Sequence, residues 1–167
     1  MKRIYTLCVS KLVLSRHARI AASTFLLGVL SAFGGVGSAF GAETLHLVEH
    51  ETTNTTIHVN KGKADSIGDM IVFANPVFDS GNTKQVGILQ GNCVRVIVAK
   101  SWECFFTLVL SNDRITLEGP YADSGESIFA ITGGTGHYVG AKGQMTARSR
   151  EAQSGTAAST DLTYDIR

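Results

Sequence analysis

The first 42 residues contain no aspartate or glutamate, and the earliest acidic residue is Glu43. Five lysines and arginines lie in the same stretch, and an apolar run follows them from about residue 20 to residue 36. A basic start, an apolar run and an end in small residues are typical of an export signal. The run is short for a bilayer span and contains glycines, so we do not expect a permanent membrane anchor.

We therefore predict that residues 1–41 are a signal peptide and that residues 42–167 are the mature domain. The long basic leader resembles the extended signal peptides of some large secreted Gram-negative proteins. This resemblance predicts a secreted or periplasmic protein that meets a membrane only during export. No lipobox cysteine follows the apolar run, so lipid attachment is not expected.

Positive charge is scarce once this leader is removed. Ten of the fifteen lysines and arginines remain against all fourteen acidic residues, which gives the predicted domain a net charge of about −4. This charge disfavours binding to nucleic acid. The remaining length suits one domain with a single core and leaves no room for a second.

The predicted domain has only two cysteines, Cys93 and Cys104. Without a matching histidine pair they do not complete a metal shell, so no metal site is predicted. If residues 98–101 form a turn, the two cysteines fall opposite each other on neighbouring antiparallel strands, within disulfide range. Export favours their oxidation to a disulfide, and the alternative is a pair of buried free thiols.

No window of the mature part has the periodicity of an amphipathic helix, whereas alternation with a period of two recurs throughout. The predicted strands, separated by turn-forming segments, are 44–50, 55–60, 68–75, 85–98, 102–110, 114–119, 127–132, 143–151 and 160–167. About eight short antiparallel strands in one small domain predict an all-β fold that closes into a barrel, because closure removes exposed edges. A β-sandwich is the alternative architecture.

Alternate residues of a strand point to opposite faces, so parity assigns the side chains of each predicted strand to two sides. The candidate residues that line the lumen are Ile71, Phe73, Cys93, Arg95, Trp102, Phe106 and Leu117. The opposite faces are apolar as well, for example at Val96 and Phe105. Contacts between copies of the chain, or a packed terminal segment, are the expected covers for these outer residues.

The glycine-rich block at residues 133–143 lacks the spacing of a nucleotide-binding loop. Val139 stands where the dinucleotide fingerprint needs a glycine, and the lysine and hydroxyl residue of a phosphate-binding loop are also absent. We interpret the glycines as residues that allow positive φ and close backbone approach at a tight strand connection. The sequence therefore predicts no cofactor.

Several motifs in order resemble the allene oxide cyclase family, whose relatives include the plant dirigent proteins. They are Gly68-Asp69, Phe73-x-Asn75, Gly87-Ile88, Gly91-x-Cys93-Val94, Gly119-Pro120-Tyr121 and the block 127–144. The resemblance implies a closed barrel with an apolar lumen, and it implies a homo-oligomer, because members of this family are commonly trimeric. A cysteine pair placed like Cys93 and Cys104 is familiar in bacterial members.

In the plant enzymes of this family an unstable fatty-acid epoxide is held bent in the lumen, where a glutamate assists its ionisation and an asparagine helps to hold a water. By position the resemblance assigns these catalytic roles to Glu49 and Asn75, with Tyr121 as the tyrosine of the Gly-Pro-Tyr motif. This chain departs from the plant pattern at Glu51, where the plant motif has a second asparagine, and it lacks the Ser-Pro that follows.

Elementary chemistry leaves a plainer alternative open for each of these residues. A buried Glu49 would have a raised pKa and serve as an acid or base, or it is an exposed acid at a strand end. Asn75 precedes a proline and fits a turn equally well, and Tyr121 fits the barrel rim. Arg95 is placed to neutralise an acidic ligand or to pair with Glu49, and an internal salt bridge is the plainer interpretation. His46 and His50 lie opposite Glu49 and fit surface residues.

Three functions are consistent with this pattern. The first is a cyclase or isomerase that acts on an apolar small molecule by restricting its conformers, which requires no covalent nucleophile. The second is a non-catalytic binding protein, either a carrier of small apolar molecules or a dirigent-like guide. The third is a structural protein whose lumen is filled by its own side chains.

Overall fold

The computed structural model describes residues 41–62, 64–150 and 158–167. Nine strands lie within these ranges: β1 (Glu43–His50), β2 (Thr55–Ile57), β3 (Met70–Phe78), β4 (Gln85–Ile97), β5 (Ser101–Leu110), β6 (Asp113–Ala122), β7 (Glu126–Thr135), β8 (Gly143–Ser149) and β9 (Ser159–Ile166). A single 3₁₀ turn, Gly136–Tyr138, joins β7 to β8. The predicted signal peptide lies outside the described residues except for its last position.

All strand pairings are antiparallel, and the order runs β1-β9-β8-β7-β6-β5-β4-β3, with a further β1–β3 pairing that closes the sheet. The short strand β2 adds to the first three residues of β3. The predicted closed barrel of eight strands is therefore confirmed, and the sandwich alternative is not adopted. Closure leaves no long unpaired edge in the main ladder.

The seam between β1 and β3 contains a gap. β1 pairs with β3 only at Val77 and Phe78, and β2 pairs with it only at residues 70–72. Between these points the hydroxyl of Thr53 takes the place of a neighbouring strand, since it lies 2.8 Å from the Ala74 amide and donates to the Ala74 carbonyl at 3.0 Å. The segment between β1 and β2 thus closes the wall through a side chain.

This gap explains an error in the predicted boundaries. The pair Asn75-Pro76 was expected to form a turn, but β3 continues through it to Phe78. Pro76 has no amide hydrogen to donate, and it lies on the stretch of β3 where neither β1 nor β2 pairs. A proline is tolerated in a strand at such a position.

Two further strands are longer than predicted. β6 includes the Gly-Pro-Tyr motif and ends at Ala122, and β7 continues through the first glycines of the block to Thr135. Gly119 has a φ of +148°, and a Cβ there would lie 3.3 Å from the carbonyl oxygen of Ile128. Glycine therefore allows β6 and β7 to approach each other at this point.

The inward-facing side chains of the strands pack together as the core of the barrel. The largest fully buried ones include Tyr164, Phe129, Leu108, Ile115, Leu117 and Met145. At the end of the barrel near the 3₁₀ turn, Tyr138 and Ala141 are buried and belong to the same core cluster. This end is closed by the chain itself.

Cys93 and Cys104 are direct register partners on β4 and β5, and they form a disulfide with an S–S distance of 2.03 Å. The predicted bridge is confirmed. It crosses a pair of neighbouring antiparallel strands, as the position of the turn between them required.

The outer face of the barrel keeps the apolar character seen in the sequence. Phe105 is 54% exposed, and Ile88, Val96 and Ile128 are exposed as well. His46 and His50 also lie outside; His50 stacks on Phe78 and bonds Asn82 at 2.7 Å. Within the described ranges, no helix is long and apolar enough to cross a membrane.

Candidate functional site

A cavity of about 140 Å³ opens into the barrel beside the segment that joins β1 to β2. Its wall is formed by Glu49, Glu51, Thr53, Asn54, Ile71, Phe73, Asn75, Leu89, Cys93, Phe106, Tyr121, Phe129, Met145, Ala147, Thr160 and Leu162. Thr53 and Asn54 are exposed, so they mark the mouth. A cavity of this size holds about one aromatic ring completely.

Aromatic rings form one side of this cavity. Phe106 contacts Phe73 edge to face with ring centroids 5.4 Å apart, and it contacts Phe129 in the same way at 4.7 Å. Gly91 stands between Phe73 and Phe106 in the register of β3, β4 and β5, so no side chain separates the two rings. The ring of Tyr121 lies nearly parallel to Phe129 at 6.5 Å.

Glu49 is buried in this apolar wall. It is 8% exposed and lies on the same face of β1 as Leu45 and Leu47, so the structure places it inside rather than at a solvated strand end. Burial raises the pKa of Glu49 from 4.5 to about 7; a hydrogen bond from Asn75 opposes this effect, and the nearby charge of Glu51 adds to it. The carboxyl group therefore populates both protonation states near neutral pH.

Asn75 connects this carboxyl group to the mouth of the cavity. Its Oδ1 accepts hydrogen bonds from the amides of Thr52 and Thr53, at 3.1 and 2.8 Å, and lies 3.1 Å from the Thr53 hydroxyl oxygen. Its Nδ2 donates to Glu49 Oε1 at 2.8 Å. Because only the oxygen of the amide accepts from backbone N–H groups, the orientation of Asn75 is fixed. Asn75 is thus a donor toward the lumen and not an acceptor.

Two tyrosines flank Glu49. Tyr121 lines the cavity, and burial raises its pKa, with Glu51 as the next cause. Tyr164 on β9 is completely buried, and its hydroxyl has no hydrogen-bond partner among the described residues. Burial raises the pKa of Tyr164 as well, with a smaller contribution from the charge of Glu49. Both hydroxyls are neutral at physiological pH.

Arg95 and Trp102, predicted to line the lumen, instead form a separate cluster toward the β4–β5 turn. Arg95 Nε lies 2.7 Å from Asp65 Oδ1, and its Nη1 lies 2.6 Å from Asp123 Oδ1. The Trp102 ring lies 3.8 Å below the guanidinium, and its Nε1 donates to Asp123 at 3.0 Å. Arg95 therefore forms an internal salt bridge and does not contact Glu49.

Of the candidate residues, the structure brings Glu49, Asn75, Tyr121, Ile71, Phe73, Cys93 and Phe106 together around one cavity. Leu117 is buried in the core and, like Arg95 and Trp102, is not part of the described cavity wall. Sequence reasoning missed Phe129, Met145 and Leu162, although parity along β7, β8 and β9 would have placed them inside. No periodic signal marks Thr53, because it lies outside any strand.

The described residues contain no group of three or more histidine, cysteine or acidic side chains arranged to hold a metal ion. The disulfide also removes both thiols as nucleophiles. Glu49 and the side chains that line the cavity with it are suited to proton transfer and to confinement of a ligand.

Comparison with known families gives one match that spans the barrel. A model of the family described as allene oxide cyclase matches residues 45–149. These residues span most of β1 and all of β2 to β8, and the cavity-lining Thr160 and Leu162 on β9 lie beyond them.

Solved structures share the fold. A pterocarpan synthase dirigent protein superposes with a TM-score of 0.65 at 17% identity, over 75% of this chain and 94% of that chain. A pyocyanin demethylase gives a TM-score of 0.59 at 25% identity, over 75% of this chain and 100% of that chain. An exo-specific intermolecular Diels-Alderase gives 0.50 at 15% identity, with coverage of 75% and 100%.

Proposed function

This chain belongs to the allene oxide cyclase family, and from that premise we propose that it binds a small apolar molecule in its lumen and acts on it as an isomerase or intramolecular cyclase. Family membership and the barrel neighbours support a barrel cyclase or binding protein. The catalytic part of the proposal depends on Glu49.

One observation carries this proposal: a single carboxyl group is buried in an aromatic cavity that opens to solvent, and its pKa is raised to about 7. Burying a carboxyl group without a cation is costly, so a protein that only needed a filled core would be more stable with an apolar residue there. An acid whose pKa is close to the working pH is suited to both donating and accepting a proton.

In the proposed mechanism the aromatic wall holds the substrate in one folded conformer. Glu49 transfers a proton to or from the reacting atom, and Asn75 keeps the carboxyl group in place through its bond to Oε1. Tyr121, neutral and facing the same cavity, supplies a hydroxyl for a hydrogen bond to the substrate. Exclusion of water favours ring closure over hydrolysis.

Mass spectrometry of the small molecules that copurify with the protein, followed by incubation of the recovered molecule with fresh protein, tests this proposal. We expect the wild type to convert this molecule and Glu49→Gln to bind it without turnover, since the amide keeps the shape of the carboxyl group but does not exchange its proton. Glu118→Gln removes a similar carboxylate from the exposed face of β6 and serves as the matched control. Equal product from wild type and Glu49→Gln would exclude Glu49 from the mechanism.

The alternative, a non-catalytic carrier, requires a ligand in the same cavity without conversion. The same experiment distinguishes the two, because a carrier releases the copurified molecule unchanged from wild type and variant alike.

We also propose that the protein is exported to an oxidising compartment and forms homo-oligomers, of which a trimer is the form implied by the family. The disulfide supports export, because such bonds persist in oxidising compartments. Exposed Phe105 and Ile128 on the outer face support contact between copies.

A further inference from the structure

The charges on the cavity wall have a single sign. Its ionisable side chains, apart from the neutral phenol of Tyr121, are Glu49 and Glu51, and no lysine, arginine or histidine is part of the described wall. The buried cation Arg95 is held by Asp65 and Asp123. It is therefore not available to neutralise a ligand carboxylate, which was one role the sequence left open for it.

Glu49 has an acceptor oxygen directed to this space. Asn75 donates to Oε1 at 2.8 Å, and no group in the described parts of the chain donates to Oε2. A carboxylate that is 8% exposed and bonded through only one oxygen has an unmet need for a donor or a positive charge. A ligand that brings either one would satisfy it.

The aromatic rings beside this carboxylate also favour a positively charged ligand. Phe73, Phe106, Phe129 and Tyr121 line the same cavity as Glu49. The π-face of an aromatic ring attracts a cation, and aromatic enclosures are a known means of binding organic cations. The carboxylate and the aromatic rings therefore both favour a ligand that carries a positive charge.

The volume limits the ligand further. A cavity of about 140 Å³ holds one ring fully, with a second ring at the open mouth. A long acyl chain exceeds this space, and its carboxylate would meet Glu49 and Glu51 without a counter-charge.

We infer that the substrate class of this lumen is a compact aromatic cation of one or two rings, whose positive edge lies against Glu49, and that long-chain carboxylates are excluded. This inference rests on the proposed function, since it concerns the same lumen. It differs from the substrate implied by the resemblance to the plant enzymes, a fatty-acid epoxide.

Three probes of similar shape and different charge test this inference: N-methylquinolinium, 1-methylnaphthalene and 1-naphthoate, with oleate as the long-chain probe. The readout is the NMR signal of the Met145 methyl group, which lines the cavity and will move in the ring current of a bound aromatic molecule. Met70 lies on the opposite face of β3 and reports binding elsewhere. A Met145→Leu variant assigns the signal.

We expect N-methylquinolinium to shift the Met145 signal saturably and to bind at least about tenfold more tightly than 1-methylnaphthalene. Neither 1-naphthoate nor oleate should compete. Glu49→Gln should lower the affinity for the cation about tenfold and leave that for the neutral probe within about twofold. A melting temperature close to that of the wild type confirms that the variant is folded, and Glu51→Gln, at the mouth, should give a smaller loss.

The affinity for the cation should also rise between pH 6 and pH 8 as Glu49 ionises. The groups that face this carboxyl are Glu51 from the β1–β2 segment, Asn75 from β3, Tyr121 from β6 and Tyr164 from β9. Of these groups, Glu49 is the one whose pKa lies within this range. Glu49→Gln should therefore remove most of the pH dependence.

Two results would overturn the inference in different ways. If the neutral probe or the naphthoate binds as tightly as the cation, the assigned substrate class is wrong, while the proposed lumenal function stands. If none of the probes moves the Met145 signal, the lumen takes no aromatic ligand and the proposed function loses its support together with the inference.

Discussion

Two buried ionisable residues of this barrel differ in the partners that surround their side chains. Glu49 and Arg95 are 8% and 7% exposed. Arg95 contacts two carboxylates and lies on an aromatic ring. Within the described parts of the chain, Glu49 has one amide donor, no cation, and a second carboxylate nearby. The Arg95 cluster has the contacts of a structural ion pair, and the carboxyl group of Glu49 has no such partner among the described residues, as its proposed role in proton transfer requires. Four sets of substitutions test this contrast, from the largest expected change in the free energy of unfolding to the smallest.

Removing the arginine should cause the largest change. Arg95→Met leaves Asp123 and Asp65 without their cation in a partly buried cluster, and we expect the free energy of unfolding to fall by about 3 to 5 kcal/mol. Urea denaturation measures this loss. A double variant, Arg95→Met with Asp123→Asn, should recover part of it, because it removes the unpaired charge together with its partner. A single variant as stable as the wild type would contradict a structural role for Arg95.

The disulfide lies next to both regions, since Cys93 lines the cavity and stands two residues from Arg95 on β4. Replacing both cysteines by serine should lower the free energy of unfolding by about 3 kcal/mol, because the closed loop no longer restricts the unfolded chain. The difference from wild type should disappear in a reducing agent. The pKa of Glu49 should not change, and a large change would show that its environment depends on the bridge.

Replacing Glu49 should raise the free energy of unfolding at high pH, whereas the two preceding substitutions lower it. The pKa of Glu49 is higher in the folded protein, about 7, than in the unfolded chain, about 4.5, so the folded state binds the proton more tightly. The contribution of Glu49 to the free energy of unfolding is therefore greatest below pH 4.5 and is lost as the pH rises through 7. We expect Glu49→Gln to be more stable than wild type by about 2 to 3 kcal/mol at pH 8, relative to the difference at pH 4. Denaturation at both pH values measures this, and a constant difference would mean that Glu49 titrates normally.

The smallest effect is expected at Asn75. Asn75→Ala removes a donor to Glu49 and an acceptor for two loop amides, and we expect a loss of about 1 to 2 kcal/mol in stability. The pKa of Glu49 should rise further, because the lost hydrogen bond lowers it in the wild type. Titration followed by carboxyl ¹³C NMR measures this shift. Thr107→Ala, on the outer face of β5, serves as a control. An unchanged pKa of Glu49 in Asn75→Ala would show that Asn75 does not influence the ionisation of Glu49.

The sequence was sufficient to predict the features that depend on alternation within a strand and on the turn of a hairpin. Alternation placed Glu49 on the face opposite His46 and His50, and a turn at 98–101 placed Cys93 opposite Cys104. These are local relations, set by the pleat of one strand or by one hairpin.

Alternation does not give the height of a side chain along the barrel axis. Arg95 and Cys93 share a face, yet one belongs to the ion-pair cluster and the other to the cavity. The partners of Arg95 come from loops about thirty residues away on either side of it, and no periodic pattern relates Asp65 or Asp123 to a strand. Register and tilt of the closed sheet decide such contacts, and these depend on all strands at once.

Because Thr53 closes the wall through its side chain, the entrance of this barrel can change in evolution without a change in its strands. The segment at residues 51–54 forms the mouth, yet it is joined to β3 through the Thr53 hydroxyl and the Asn75 side chain, outside the main ladder. Substitutions at Glu51 or Asn54 therefore alter the entrance without disturbing the pairing of any strand. Selectivity for new ligands is free to evolve here while the scaffold stays unchanged.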